Sequence, residues 1–142
     1  NPVNATGTNT NTVQRDTFSL DLNTEHYVIA IFPDNAEISE TFKNNLAEFN
    51  TSFYENDELS ISSSLFGSFD QIVNIKKFKN ASDAMKYIKN LSADKNVFTG
   101  KVKFETFTLM AISTDNLPRL FRKKKASYYK PFFDDHYQTL PQ

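Results

Sequence analysis

Polar and apolar positions follow two different periods within one stretch, residues 70–91, DQIVNIKKFKNASDAMKYIKNL. Its first half repeats every second residue. Ile72, Asn74 and Lys76 fall on one side and Val73, Ile75 and Lys77 on the other, which is the pattern of a strand. Its second half sets Ala81, Ala84, Met85, Ile88 and Leu91 on one stripe, the spacing of an amphipathic helix. Phe78 sits at the junction, and Ser82 and Asp83 stand where they cap or favour a helix start. A strand that runs into a helix folding back over it is half of a two-layer α/β sandwich.

The same alternation of strand and helix occurs earlier in the chain. HYVIAIF, residues 26–32, is the most hydrophobic run and is closed by Pro33-Asp34-Asn35. Its β-branched and aromatic content predicts a central strand covered on both faces. In residues 38–54, Ile38, Phe42, Leu46, Phe49 and Phe53 recur at intervals of three and four, which predicts a helix with Ser39 as N-cap. LSISSSL, residues 59–65, alternates Leu59 and Ile61 with Ser60 and Ser62, as in a strand whose outer side is polar. The short turn FGSFD, residues 66–70, joins it to the strand above as a hairpin. KVKFETFTLMAI, residues 101–112, reads as a long last strand, broken by Ser113-Thr114-Asp115-Asn116. From Leu117 to Tyr137 the pattern is helical, with a break or new start expected near Pro131.

The predicted fold class is therefore α+β. It is a two-layer ferredoxin-like sandwich in the order β-α-β-β-α-β, with a four-stranded antiparallel sheet and extra C-terminal helices. Both crossover helices fall on one face, and the other face is open unless the C-terminal helices cover it. Residues 1–23 open with an Asn/Thr run of almost no apolar content, which cannot offset its ordering entropy and reads as a linker. Phe18, Leu20 and Leu22 alternate at its end and suit a short strand or a segment lying along the domain. The domain itself spans residues 24–142.

Composition removes several function classes. Hydrophobic residues make up 39% of the chain, but 14 Phe and 6 Tyr allow a core to be built from few side chains. A net charge of -1 and a pI near 6.1 argue against a nucleic-acid binder. The strand QIVNIKKF also lacks the signature of an RNA-recognition motif. There is no cysteine, and Gly7, Gly67 and Gly100 stand too far apart for a phosphate loop. His26 and His136 lie at opposite ends without metal-ligand spacing, so no cofactor is expected, and His26 reads as an edge or capping residue. Ser60, Ser62, Ser63 and Ser64 lack the nucleophile elbow, and Asp134 and Asp135, adjacent on a helix, diverge. The chain is not expected to be an enzyme. No run approaches the roughly 20 apolar residues of a membrane span, and no signal peptide pattern opens the chain. Starting at Asn1-Pro2, it is expected to be a mature product or an excised piece, with any export signal or anchor outside it.

Two resemblances add to this reading. QIVNIKKFKNASDAMKYIKNL resembles the second half of a SPOR domain, in which a strand ends in an aromatic and leads into an Ala-rich helix start; Phe78, Ala81, Ala84 and Met85 take those places. That family implies the same β-α-β-β-α-β plan and binding of peptide-stripped septal peptidoglycan. A wider resemblance runs from His26 to Tyr137. HYVIAIFP, LAEFNTSFY, LSISSSL, IKKFKNASDAMKY and TLMAISTDNLPRLFRKKKASYYKPFFDDHY occur in that order, and as a set they look like the C-terminal domain of the PorW/SprE lipoproteins of Bacteroidetes. Those proteins carry upstream tetratricopeptide repeats and belong to the type IX secretion and gliding-motility machinery. The resemblance implies a periplasmic module, tethered to the outer membrane by a lipid outside this stretch, whose partners are proteins of that machine.

Two candidate surfaces follow. For a glycan, the sheet's second face offers Ser60, Ser62, Asn74 and Lys76, with Tyr27 or Phe32 as a stacking ring. For an acidic partner, glycan or headgroup, Arg119, Arg122, Lys123, Lys124 and Lys125 form the one dense basic cluster. Tyr128, Tyr129, Phe132 and Phe133 are expected to be core or docking residues, because a small tail seldom exposes so many rings.

Overall fold

The computed structural model describes residues 17–140, so the Asn/Thr run assigned to a linker lies outside the described residues. Strand β1 (His26–Pro33) is followed by helix α1 (Ala36–Phe53), the hairpin of β2 (Ser60–Phe66) and β3 (Asp70–Phe78), helix α2 (Ala81–Ser92) and strand β4 (Thr108–Ser113). Helices α3 (Asn116–Lys123) and α4 (Lys130–Tyr137) close the chain. The sheet is four-stranded and antiparallel in the order β2-β3-β1-β4, which is the ferredoxin-like arrangement. Among the described residues no helix is long and apolar enough to cross a membrane.

Local chemistry explains where the elements begin. Asn35 caps α1, its side chain accepting from the N–H of Ile38; Ser39, the expected cap, is buried one turn inside. Asn80 likewise caps α2 through the N–H of Asp83, so Asp83 helps as a first-turn acid rather than as the cap. Pro131 sits in the first turn of α4, where its missing N–H costs nothing, and a new helix starts there as expected.

The last strand is shorter than its pattern. Strand β1 supplies partners only as far as Ile31, which faces Thr108, so residues 101–107 have no ladder to join. They fold instead with a single 3₁₀ turn at Phe104–Thr106 and bury Val102 and Phe107. Phe107 lies against Phe32, Phe42 and Phe98, and this aromatic cluster fills the space under α1.

Register assigns the two faces of the sheet. Val28, Ala30, Phe32, Val73 and Ile75 face the crossover helices, since Phe32 meets Phe42 of α1 and Val28 pairs Ile75. Ile29, Ile31, Ile72, Met110 and Ile112 lie on the second face and are all buried. What buries them is the C-terminal segment. Phe66, on that same face of β2, meets Phe121 of α3, α3 and α4 both lie against β4, and Leu120, Tyr129, Phe133 and Tyr137 are buried. The two-layer core thus carries a further helical layer on its second face.

Residues 17–25 form no strand. Phe18 packs edge-on against Tyr129 and tilted against Phe132, and Asn116 holds the Ser19 backbone from both sides, accepting its N–H at 3.0 Å and donating to its C=O at 2.8 Å.

Candidate functional site

Tyr27, Ser60, Ser62, Asn74 and Lys76 do share one face of the sheet. Ser60, Lys76 and Tyr27 stand side by side across three strands, and Ser62, Asn74 and Ile29 form the next row. The face is not open, however. The C-terminal helices lie on its centre, Asn74 is buried, and its Oδ1 has no hydrogen-bond partner among the described residues. The Lys76 ammonium sits 5.5 Å from the centre of the half-buried Tyr27 ring, so the chain's own cation occupies that ring. Phe32, the other proposed stacking ring, points to the opposite face and is buried against Phe42 and Phe107. Exposed on this side is a strip of hydroxyls, Ser60, Ser62 and Ser64, bordered by Lys76.

The basic cluster is divided by the fold. Arg119 donates to Ser19 Oγ and Asn116 Oδ1 at 2.9 and 3.0 Å and fastens the N-terminal segment instead of facing a partner. Arg122 and Lys123 occupy the last turn of α3, where they also complement the helix dipole. Lys124 ends that helix in the left-handed conformation, φ 63°, and turns its carbonyl against the β2–β3 turn. A Cβ on Gly67 would stand 2.8 Å from the Lys124 oxygen, and Gly67 itself has φ 68°. Glycine is therefore required at Gly67 by both its dihedral angle and its neighbour.

This close approach builds a surface that neither segment predicts alone. The hairpin turn and residues 123–127 enclose a cleft of about 460 Å³ lined by Phe66, Phe69, Asp70, Lys123, Lys124 and Lys125, among others. Phe69, at the tip, is 83% exposed, and Tyr128 is 53% exposed with the Lys123 ammonium 5.4 Å from its ring centre; Leu65, 63% exposed, lies on the α1-facing side of β2 instead. The rings supply apolar area; ammonium groups supply charge that survives in water at their rim. Phe69 stands outside every candidate surface read from the sequence. A signal was present in FGSF, because a Phe at the apex of a tight turn has no core within reach.

The titratable groups in the interior are structural. His26 is wholly buried, its Nδ1 2.8 Å from the Thr24 carbonyl and its Nε2 2.7 Å from the Tyr137 hydroxyl. It is not an edge residue, since β1 is central. Burial lowers its pKa, opposed in part by the Thr24 hydrogen bond and the charge of Asp21. Tyr87 and Tyr129 are pushed far above the ordinary phenol value, also by burial; their hydroxyls donate to Asn50 Oδ1 at 2.6 Å and to the Ala111 carbonyl at 2.8 Å. Asp134 is exposed and held below its usual range by the hydrogen bond from Lys130 one turn earlier. No group of three or more His, Cys, Asp or Glu able to hold a metal ion occurs among the described residues.

What the fold defines is a ferredoxin-like α+β domain with a basic, ring-bearing cleft at one end. Searches of protein-family models, of curated proteins and of solved structures each return no match for the chain.

Proposed function

We propose that the chain is a non-catalytic interaction module of a type IX secretion and gliding-motility lipoprotein, docking its parent to other components of that machinery in the periplasm. The observation that carries the docking role is the cleft of Phe69 and Lys123–Lys125, with the exposed Tyr128 ring beside Lys123: large exposed apolar side chains in one patch mark contact sites on soluble domains. The assignment to that machinery rests on the ordered resemblance from His26 to Tyr137. The ammonium groups select a partner with carboxylates beside apolar side chains.

A second reading, a peptidoglycan glycan-binding module, draws on the placement of Ser60, Ser62, Lys76 and Tyr27 on one face. It is the weaker of the two, because a sugar ring needs an exposed aromatic face and Tyr27 already carries Lys76. Co-sedimentation with amidase-treated sacculi separates the readings. No pelleting is expected, and pelleting abolished by Lys76→Glu would favour the glycan.

The docking role is tested in cells by Phe69→Ser combined with Lys123→Glu and Lys125→Glu in the full-length parent. Gliding and secretion are expected to fail at a normal level of the protein. Unchanged gliding and secretion would remove the hairpin-tip surface from the mechanism.

A further inference from the structure

Strand β2 is an outer strand of the sheet, with β3 as its neighbour. Alternate backbone N–H and C=O groups along Ser60–Phe66 therefore point away from the sheet. Among the described residues, no backbone hydrogen bond from any other segment reaches them. Soluble proteins usually guard such an edge with proline, charge or a bulge. SISSSLF has no proline or charged residue, and its pairing with β3 runs unbroken from Ser60↔Lys76 to Phe66↔Asp70. The other outer strand, β4, is treated differently: α3 and α4 lie against it, and Tyr129 takes the Ala111 carbonyl.

A groove of about 270 Å³ runs beside the start of β2, between it and the flank of α1, lined by Ala47, Asn50, Tyr54, Leu59 and Ile61. That volume lies below the roughly 300–1,000 Å³ of small-molecule pockets and suits single side chains of a strand. The odd-numbered residues of β2 face α1, since Ser63 accepts a hydrogen bond from Lys43 at 3.1 Å and Ile61 lines the groove. A strand added outside β2 would continue that face, and every second side chain would enter beneath α1. Asn50 is a second pointer to a ligand. It lines the groove and is 8% exposed, its Oδ1 accepts from Tyr87, and its Nδ2 has no partner among the described residues, so a residue of the groove wall carries a buried donor without an acceptor.

We propose that the outer edge of β2 and this groove bind an extended polypeptide segment of a partner protein, which joins the sheet as a fifth strand. Charge sets the occupant. Opposite Ile61 and Ala47 it carries an aliphatic side chain. Two residues to one side, toward the exposed Glu55 and Glu58 at the groove's end, it carries Lys or Arg. Two residues to the other side, toward Lys43, it carries a carboxylate. The segment thus reads basic-x-aliphatic-x-acidic in one chain direction. This site begins at the opposite end of β2 from Phe69 and does not depend on the secretion-machinery reading.

The test is display selection of random seven-residue peptides on the intact 142-residue chain, followed by titration and amide hydrogen exchange. Enriched peptides are expected to carry the basic-x-aliphatic-x-acidic alternation and to protect alternate amides of β2. Ala47→Glu, at an exposed helix position that tolerates Glu, is expected to weaken them by about tenfold or more. Phe69→Ser is expected to leave their affinity unchanged, so failure here is distinguishable from failure of the docking surface. No enriched sequence, binders indifferent to Ala47→Glu, or binders that leave the β2 amides unprotected would overturn the assignment. So would a concentration-dependent dimer of the chain itself that Ser62→Pro abolishes, which would place a second copy on the edge.

Discussion

His26 shows how one side chain couples two ends of the chain. The Thr24 carbonyl can only accept, so the proton of the neutral ring is on Nδ1 and Nε2 accepts from the Tyr137 hydroxyl. Protonating the ring would place a charge in the interior and turn Nε2 into a second donor. The folded pKa is lowered from the ordinary 6.5, so the unfolded chain binds the proton more readily. Stability is then full above about pH 6.5 and falls as the pH drops through that value toward the folded pKa. Urea unfolding between about pH 7.5 and pH 5 is expected to show this decline, and His26→Gln is expected to flatten it. Tyr137→Phe leaves Nε2 without its donor, which is expected to cost about 1–3 kcal/mol. Gly67 is the other decisive single residue. Gly67→Ala forces an L side chain into φ 68° against the Lys124 carbonyl, and a loss of at least about 1–2 kcal/mol is expected in the same assay.

At the scale of elements, pairing and coverage decide what the residue pattern leaves open. KVKFETF has the alternation of a strand, but β1 ends its ladder with β4 at Ile31↔Thr108, and without a partner the alternation has nothing to hydrogen-bond. Its rings then sort by packing. Phe107→Ala empties a site bounded by Phe32, Phe42 and Phe98 and is expected to cost about 3–5 kcal/mol. Phe104→Ala, at 46% exposure, is expected to cost less than about 1 kcal/mol. Thermal unfolding of the two variants separates a packed loop from a strand edge, in which both would matter comparably. In α1 the stripe Phe42, Leu46 and Phe49 is buried as its spacing requires, but Phe53, in the same stripe, is 66% exposed. The helix ends there, beyond the sheet it covers. In α2 the reverse occurs: Tyr87, outside the expected stripe, is wholly buried because Asn50 on α1 accepts its hydroxyl.

For the whole molecule, the helical layer on the second face determines which surfaces remain for recognition. Ile29, Ile31, Ile72, Met110 and Ile112 would be uncovered without α3 and α4, and each buried aliphatic side chain of this size is worth roughly 1.5–3 kcal/mol. A chain ending at Asp115 is therefore expected to lose cooperative unfolding and to bind a hydrophobic dye. Cooperative unfolding without dye binding would show the tail to be an accessory. With the tail in place, the two surfaces proposed for binding lie at the margins: the hairpin tip beside Lys123–Lys125 and the unguarded edge of β2.

The alternation of HYVIAIF and QIVNIKKF and the helical stripes between them were enough to specify four antiparallel strands and two crossover helices, because period and turn chemistry act over a few residues. Coverage of both faces of β1 was also legible in its unbroken apolar run. The surfaces were not. Tyr27, Ser60, Ser62, Asn74 and Lys76 share a face because register is local, but the burial of Asn74 depends on helices that begin more than forty residues later. Arg119 is bound by Ser19, a hundred positions away, and Gly67 meets Lys124 through a carbonyl that no side-chain pattern records. Sequence patterning determined the layers, whose driving force is the burial of each element's own apolar side. Only the tertiary structure decided which rings, cations and strand edges were left exposed, because exposure is what remains after distant segments have packed together.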